Sequence, residues 1–329
     1  MRTAIVGAGS WGTAMAGLVS EGGATVRLVC RTAGQAGTVA ATRRTGYLGA
    51  VVVPDAVEAT HLGDPGALDG AELVVLAVPS RATEQAAAWL VPRLPAGAGI
   101  LSLTKGLDPV SGRRLSDVWR ERLPAGTPFC VLTGPNHAEE VAAGQPAAAV
   151  VAGDHALGAR VQALLSGRRF RVYMNDDLIG VELCAAAKNV IALAAGMSDG
   201  IGFGDNCKAA LLTRGLAEMT RLGVACDANP ATFRGLAGMG DLIATATSAH
   251  SRNRRAGELI AGGLPAQEVE ARMGQVAEGL WTARNLLALA DRVGVELPIS
   301  AEVVAATFEG KPVAACLEAL MARAPAAEE

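Results

Sequence analysis

Residues 2–12, RTAIVGAGSWG, decide how the rest of the chain is read. A short apolar run, Ala4, Ile5 and Val6, feeds directly into Gly7-x-Gly9-x-x-Gly12, and residues 13–20 carry a helical pattern. Strand, glycine turn and helix in that order form the unit that seats a dinucleotide pyrophosphate. Gly7 permits the tight turn, Gly9 lets the backbone approach the phosphates, and Gly12 lets helix and strand pack closely. The helix N-terminus offers unpaired N–H groups and a partial positive charge to the anion. The same stretch mimics a secretory signal, because Arg2 precedes an uncharged run to Ser20 with small residues Ala14 and Ala16. Four glycines interrupt that run, and residues 24–29 supply a second strand at βαβ spacing, so the dinucleotide reading takes precedence.

Composition narrows the class. At 329 residues, half apolar and 19% charged, the chain suits two domains with buried cores. A net charge of -3 argues against a nucleic-acid groove. No apolar run reads as both long enough and free enough of glycine to span a bilayer, so no membrane insertion is expected. The six cysteines form no CxxC and no His/Cys cluster. They read as small core residues in a reducing, cytoplasmic compartment, with no metal site.

Strand-like runs at 3–6, 24–29, 73–78, 100–103, 129–132, 147–151 and 170–173 alternate with helical patterns such as 81–90. This predicts an α/β fold, a doubly wound and mostly parallel sheet with helices on both faces and ligands at the strands' carboxyl ends. Beyond residue 180 helical periods dominate, at 180–195, 207–222, 251–261, 280–293 and 301–308. The expected organisation is a dinucleotide-binding domain over 1–185 and an all-helical substrate-binding domain over 186–329, with a frayed tail at 324–329.

The second strand ends Val29-Cys30-Arg31-Thr32, without the carboxylate that grips a ribose 2′-hydroxyl in NAD-selective units. Arg31 either meets a 2′-phosphate or is a solvated strand-end residue; the first reading favours NADP(H), with NAD(H) tolerated. Lys105 follows a strand at its carboxyl end, where it faces the cofactor crevice or lies in a surface loop. Lys188 has Cys184, Ala185, Ile191 and Ala192 as its helical neighbours and no local carboxylate. It is either buried and paired from elsewhere, with the lowered pKa that suits proton exchange, or its stem snorkels to water. Asp241, behind the glycine-bearing turn 236–240, either pairs with that lysine or caps a helix. Ser251-Arg252-Asn253-Arg254-Arg255 places three arginines in a first helical turn, against the macrodipole. A bound anion such as a phosphate ester explains them, as does a solvated basic turn.

Together these residues resemble the NAD(P)-dependent sn-glycerol-3-phosphate dehydrogenases of the bacterial biosynthetic type, almost end to end. The specific segments are GAGSWGTA (7–14), LTKGLD (103–108), TGPNHAEEVAAGQP (133–146), FRVYMNDDLIGVEL (170–183), AAKNVIALAAGMSDGIGFGDN (186–206), LLTRGLAEMTRLG (211–223), GLAGMGDLIAT (235–245) and SRNRRAG (251–257). The resemblance implies a Rossmann-type first domain and reversible reduction of dihydroxyacetone phosphate to sn-glycerol 3-phosphate for glycerophospholipid synthesis, by a homodimer. It implies that Lys188 is catalytic, supported by Lys105 and Asp241. Cofactor contacts would come from Gly7, Gly9, Ser10, Trp11, Gly12, Arg31, Lys105, Ala138, Arg252, Val276 and Glu278. Substrate contacts would come from Lys105, Gly134, Asn136, Lys188, Asp241, Thr245, Ser251, Arg252 and Asn253. The chain departs from the family pattern at Cys30, where relatives often carry an aromatic, and at Tyr47-Leu48-Gly49-Ala50, where they read YLPG. Asn136 also stands where Ser or Thr is common. A hydroxyacid dehydrogenase on the same plan, and a non-catalytic NADP-binding regulator, are the readings it competes with.

Overall fold

The structure, a computed structural model, describes residues 1–324. The expected tail, apart from Ala324, lies outside the described residues. Eight strands form one sheet: β1 (Arg2–Val6), β2 (Thr25–Cys30), β3 (Val57–His61), β4 (Leu73–Leu76), β5 (Gly99–Ser102), β6 (Phe129–Thr133), β7 (Ala147–Gly153) and β8 (Phe170–Asn175). Their order is β3-β2-β1-β4-β5-β6-β7-β8. Every pairing is parallel except β6 with β7. The order reverses between β1 and β4, the switch point at which a doubly wound sheet opens a crevice for ligands. β4, β5 and β6 are buried along their whole length, as expected of strands covered on both faces.

β3 is absent from the sequence reading. Its segment, VEATH, is an edge strand that buries only Val57 and Thr60, so it lacks the apolar run that marks the central strands. Otherwise the expected strands appear, with ends shifted by one or two residues.

Residues Met1–Thr104 and Leu115–Leu178 form one compact unit, and Lys105–Arg114 joins the residues from Ile179 onward in a second. The division falls earlier than the expected 185/186 boundary, and the 105–114 segment belongs with the helical unit. Among the described residues the second unit contains no strand. Its central element, Leu178–Gly200, is long and apolar enough to cross a membrane, contrary to the sequence expectation that no run qualifies. The structure buries nearly all of it, as in the core helix of a folded unit. Short helices at Asp241–Thr247, Ala266–Met273 and Val313–Met321 are not among the helical periods read from the sequence.

Glycines set a close helix crossing. A Cβ at Gly196 would run into the carbonyl oxygen of Arg254, and one at Gly257 into that of Leu193. The Arg252–Ala261 helix therefore lies backbone to backbone on the Leu178–Gly200 helix.

Candidate functional site

In the sheet unit β1 ends at the glycine turn. Gly7 adopts a φ of 111°, and a Cβ there would stand 2.6 Å from the Ala77 carbonyl oxygen beyond β4. A Cβ at Gly12 would collide with the Gly7 carbonyl. Space beside Gly9 is open, with no atom within 4 Å of where its Cβ would be. Gly9 is also the N-cap of the Ser10–Glu21 helix and provides no side-chain cap, so the first N–H groups face that space. Such a cradle fits a pyrophosphate, because a side chain at either position would fill or distort it. Trp11, at the helix start, carries a buried indole N–H without a hydrogen-bond partner.

Arg31 is exposed at the end of β2. Gln35 accepts a hydrogen bond from the Arg31 N–H (3.1 Å) and donates to the Ala8 carbonyl (3.3 Å), tying the strand end to the glycine turn. The sequence reading passed over Gln35. Its signal is a polar residue four places beyond the arginine, on a helix capped by Thr32. At the end of β6, Gly134 (φ 138°) and buried Asn136 lead into a short helix that begins at Ala138.

The chemistry-bearing residues of the helical unit cluster around one carboxylate. The Lys188 ammonium, 4% exposed, donates to Asp241 Oδ1 at 2.7 Å and to Thr245 Oγ1 at 2.6 Å. Lys105 donates to the other carboxylate oxygen, Asp241 Oδ2, at 3.0 Å. Thr245 donates to Asp241 Oδ1 (3.3 Å) from one turn along the same helix. A π-helical turn, Leu236–Gly240, delivers Asp241 into the first turn of the Asp241–Thr247 helix; π turns recur at functional sites. Asp241 therefore pairs with lysines rather than capping a helix.

Two cations share one anion, leaving a net positive charge. Burial pushes the Lys188 pKa down; Asp241 opposes this and the Lys105 charge adds to it, and the result is about 7 instead of 10.5. Burial alone would raise the Asp241 pKa, but the charges of Lys105 and Lys188 and their hydrogen bonds outweigh it, and the carboxyl stays below its ordinary value. The site holds a lysine able to gain or lose a proton near neutrality.

Ser251 caps the Arg252–Ala261 helix by accepting from the Arg254 N–H (3.2 Å). The expected cluster of three arginines is reduced here. Arg254 is paired with Asp199 (2.7 Å) and Glu258 (2.8 Å), whereas Arg252 and Arg255 are exposed. Buried Asn253 donates to Asn189 Oδ1 and accepts from the Gly279 N–H, both at 2.8 Å. Its amide thus pins the turn to the residue after Lys188, and its main-chain N–H remains available at the helix start. Asn189 went unassigned in the sequence; its signal is a second polar side chain beside Lys188 within the apolar stretch 183–197. Val276, half-buried, and Glu278 lie at the start of the Glu278–Val293 helix.

Residues 2–157 match the sequence model of the NAD-dependent glycerol-3-phosphate dehydrogenase N-terminus, and residues 177–318 that of its C-terminus. The chain belongs to the NAD-dependent glycerol-3-phosphate dehydrogenase family. It is 49% identical over 332 residues to "Glycerol-3-phosphate dehydrogenase [NAD(P)+]" of Thermus thermophilus, covering all of both chains. It is 45% identical to the protein of that name from Desulfitobacterium hafniense, covering 98% of this chain and 91% of the relative. The crystal structure of glycerol-3-phosphate dehydrogenase from Coxiella burnetii superposes with a TM-score of 0.93 at 36% identity, covering 98% of this chain and 99% of that one. As a glycerol-3-phosphate dehydrogenase family member the chain is an NAD(P)-dependent oxidoreductase, and its Rossmann-type sheet and helical unit follow the family plan.

Proposed function

We propose that the protein interconverts dihydroxyacetone phosphate and sn-glycerol 3-phosphate, and that its physiological work is to supply the phosphate ester for glycerophospholipid synthesis. The observation that carries the reading is the buried Lys188–Asp241–Lys105 cluster with its excess positive charge. When bound at the glycine turn through Gly7, Gly9, Ser10, Trp11 and Gly12, the nicotinamide cofactor supplies or accepts the hydride at C2.

In the reducing direction, protonated Lys188 stabilises the oxygen at C2 as negative charge develops on it and then delivers its proton. In the reverse direction neutral Lys188 takes that proton. Asp241 and Thr245 hold the ammonium in line, and Lys105 adds a second positive charge. The Arg252 guanidinium and the N–H groups at the start of the Ser251-capped helix anchor the substrate phosphate. Binding energy from that remote group positions the carbonyl for transfer. Gly134 and Asn136 contact the substrate, and Asn253 does so through its backbone while its side chain holds the turn. Ala138, Val276, Glu278 and Arg252 contribute to the cofactor. Arg31, with no competing carboxylate at the end of β2, favours NADP(H) over NAD(H). The enzyme acts in the cytoplasm as a homodimer and without insertion into a membrane.

The test is oxidation of NADPH followed optically as dihydroxyacetone phosphate is added, with unphosphorylated dihydroxyacetone beside it. Turnover requires the phosphate. Equal rates on the two ketones would remove the anion site from the scheme. Arg252→Ala should raise KM for dihydroxyacetone phosphate and leave that for unphosphorylated dihydroxyacetone little changed.

A further inference from the structure

We propose that Arg114, Glu182 and Asn285 are positioning residues that clamp residues 105–114 onto the helical unit and thereby hold Lys105 within reach of Asp241. The proposal rests on the reaction above only for its kinetic readout.

Residues 107–114 form a closed loop. Leu107 and Arg114 bridge in antiparallel fashion, and the Asp108 N–H donates to the Arg113 carbonyl at 2.9 Å. The Asp108 carboxylate accepts from both the N–H and the hydroxyl of Ser111, each at 2.7 Å. Leu107 and Asp108 are buried. A loop closed in this way moves as one piece, and Lys105 lies two residues before it.

Three contacts fasten that piece. Arg114 Nη1 pairs with Glu182 Oε2 at 3.5 Å, on the helix that also carries Lys188. Asn285 Nδ2 donates to the Asp108 carbonyl at 3.2 Å, and Arg292 Nη2 to the Gly112 carbonyl at 3.3 Å, both from the Glu278–Val293 helix. Glu182 is only 7% exposed. A carboxylate buried that deeply requires its counter-charge, so the pair also fixes where Arg114 must be. Lysine side chains resist ordering because they lose rotamer freedom. Loosening the loop would draw the Lys105 ammonium away from Asp241 Oδ2.

The charged groups facing Lys188 are Asp241, from the Asp241–Thr247 helix, and Lys105, from the clamped segment. Its own helix contributes no charge one turn away, where Cys184, Ala185, Ile191 and Ala192 stand. Withdrawing Lys105 therefore removes a cation that helps burial lower the Lys188 pKa. The pH dependence of turnover reports the clamp, which a merely structural ion pair would not move.

Two variants of the full chain, Glu182→Gln and Asn285→Ala, test this, with the buried cap residue Glu218→Gln as control. Glu218 accepts from the Ile299 and Ser300 N–H groups and the Ser300 hydroxyl, at the start of another helix. We expect Glu182→Gln to lower kcat roughly 10- to 100-fold, the scale for misplacing a catalytic group, with KM for NADPH unchanged. The alkaline loss of ketone reduction should move to higher pH in both test variants but not in the control. Arg114→Lys, which keeps the charge, should lose less activity than Arg114→Met. Acetic anhydride labelling, read by mass spectrometry, should find Lys105 more reactive in both test variants and unchanged in Glu218→Gln. That measurement needs no substrate. If folded Asn285→Ala and Glu182→Gln leave both Lys105 labelling and the pH limb in place, the clamp is wrong even if the wild type reduces dihydroxyacetone phosphate. Should Glu182→Gln fail to fold, Asn285→Ala decides alone. Exposed Lys105 in the variants of a protein inactive on that ketone would instead sink the reaction and keep the clamp.

Discussion

At the residue scale the site is an electrostatic arrangement of three side chains with one negative charge between two positive ones. Asp241 is the centre of it, so its loss matters most for folding. Removing one partner of a buried ion pair leaves an uncompensated charge and costs about 3–5 kcal/mol. We predict a loss of that order for Asp241→Ala in denaturant unfolding, and a smaller one for Lys188→Met, which leaves Asp241 with Lys105. Lys188→Ala should lose most of kcat while cofactor affinity stays close to wild type; near-normal turnover would take Lys188 out of the chemistry. The pH dependence follows from the depressed Lys188 pKa of about 7. Ketone reduction needs the protonated amine and should fall as pH rises through that value, while alcohol oxidation needs the neutral amine and should rise. Lys105→Met should push both limbs to higher pH, since the neighbouring cation that disfavours a charged Lys188 is gone. The two readings of Lys188 left open by its local sequence are separated here by a carboxylate 53 residues away.

At the element scale, the site depends on how closely two helices approach. Gly196 and Gly257 face each other's helix backbones, and a methyl group at either position has nowhere to go. Overpacking of this kind costs typically about 1–3 kcal/mol. Gly257→Ala should lower stability by that amount and raise KM for dihydroxyacetone phosphate, because the Ser251–Asn253 turn would be pushed off the Leu178–Gly200 helix. Gly17 offers the contrast. It is mid-helix with open space where a Cβ would stand, so Gly17→Ala should stabilise by roughly 0.5–1 kcal/mol. Thermal unfolding of the two variants settles the comparison: equal shifts would show that the helix crossing is not tight. Gly196 is visible in the sequence as part of an apolar run, while Gly257 stands beside the charged residues Arg254, Arg255 and Glu258. Which helix they meet is not visible, because helical periodicity reports a buried face and says nothing of its partner.

At the scale of the whole molecule, cofactor binding should stabilise the fold by mass action. NADPH at a hundredfold excess over its Kd should add about 2.7 kcal/mol to unfolding. Arg31→Ala should cut the stabilisation by NADPH more than that by NADH, and equal cuts would dissociate Arg31 from the 2′-phosphate. The sheet and its glycine turn were legible at this scale. Strand alternation, the apolar runs of β1, β4, β5 and β6, and Gly7, Gly9 and Gly12 are local requirements of backbone geometry, and local requirements are written in consecutive residues. β3 escaped because an edge strand with two buried side chains needs little apolar patterning. By itself, then, the sequence determined the fold class, the glycine turn after β1 and the inventory of chemical groups. Tertiary structure alone decided that Lys105 and Lys188 share Asp241, that Arg254 is paired with Asp199, that the Asn253 amide is spent on Asn189 and Gly279, and that 105–114 folds with the helices. The reason is physical: the state of a buried charge is set by whatever lies a few ångströms from it, and in this chain those neighbours come from distant segments.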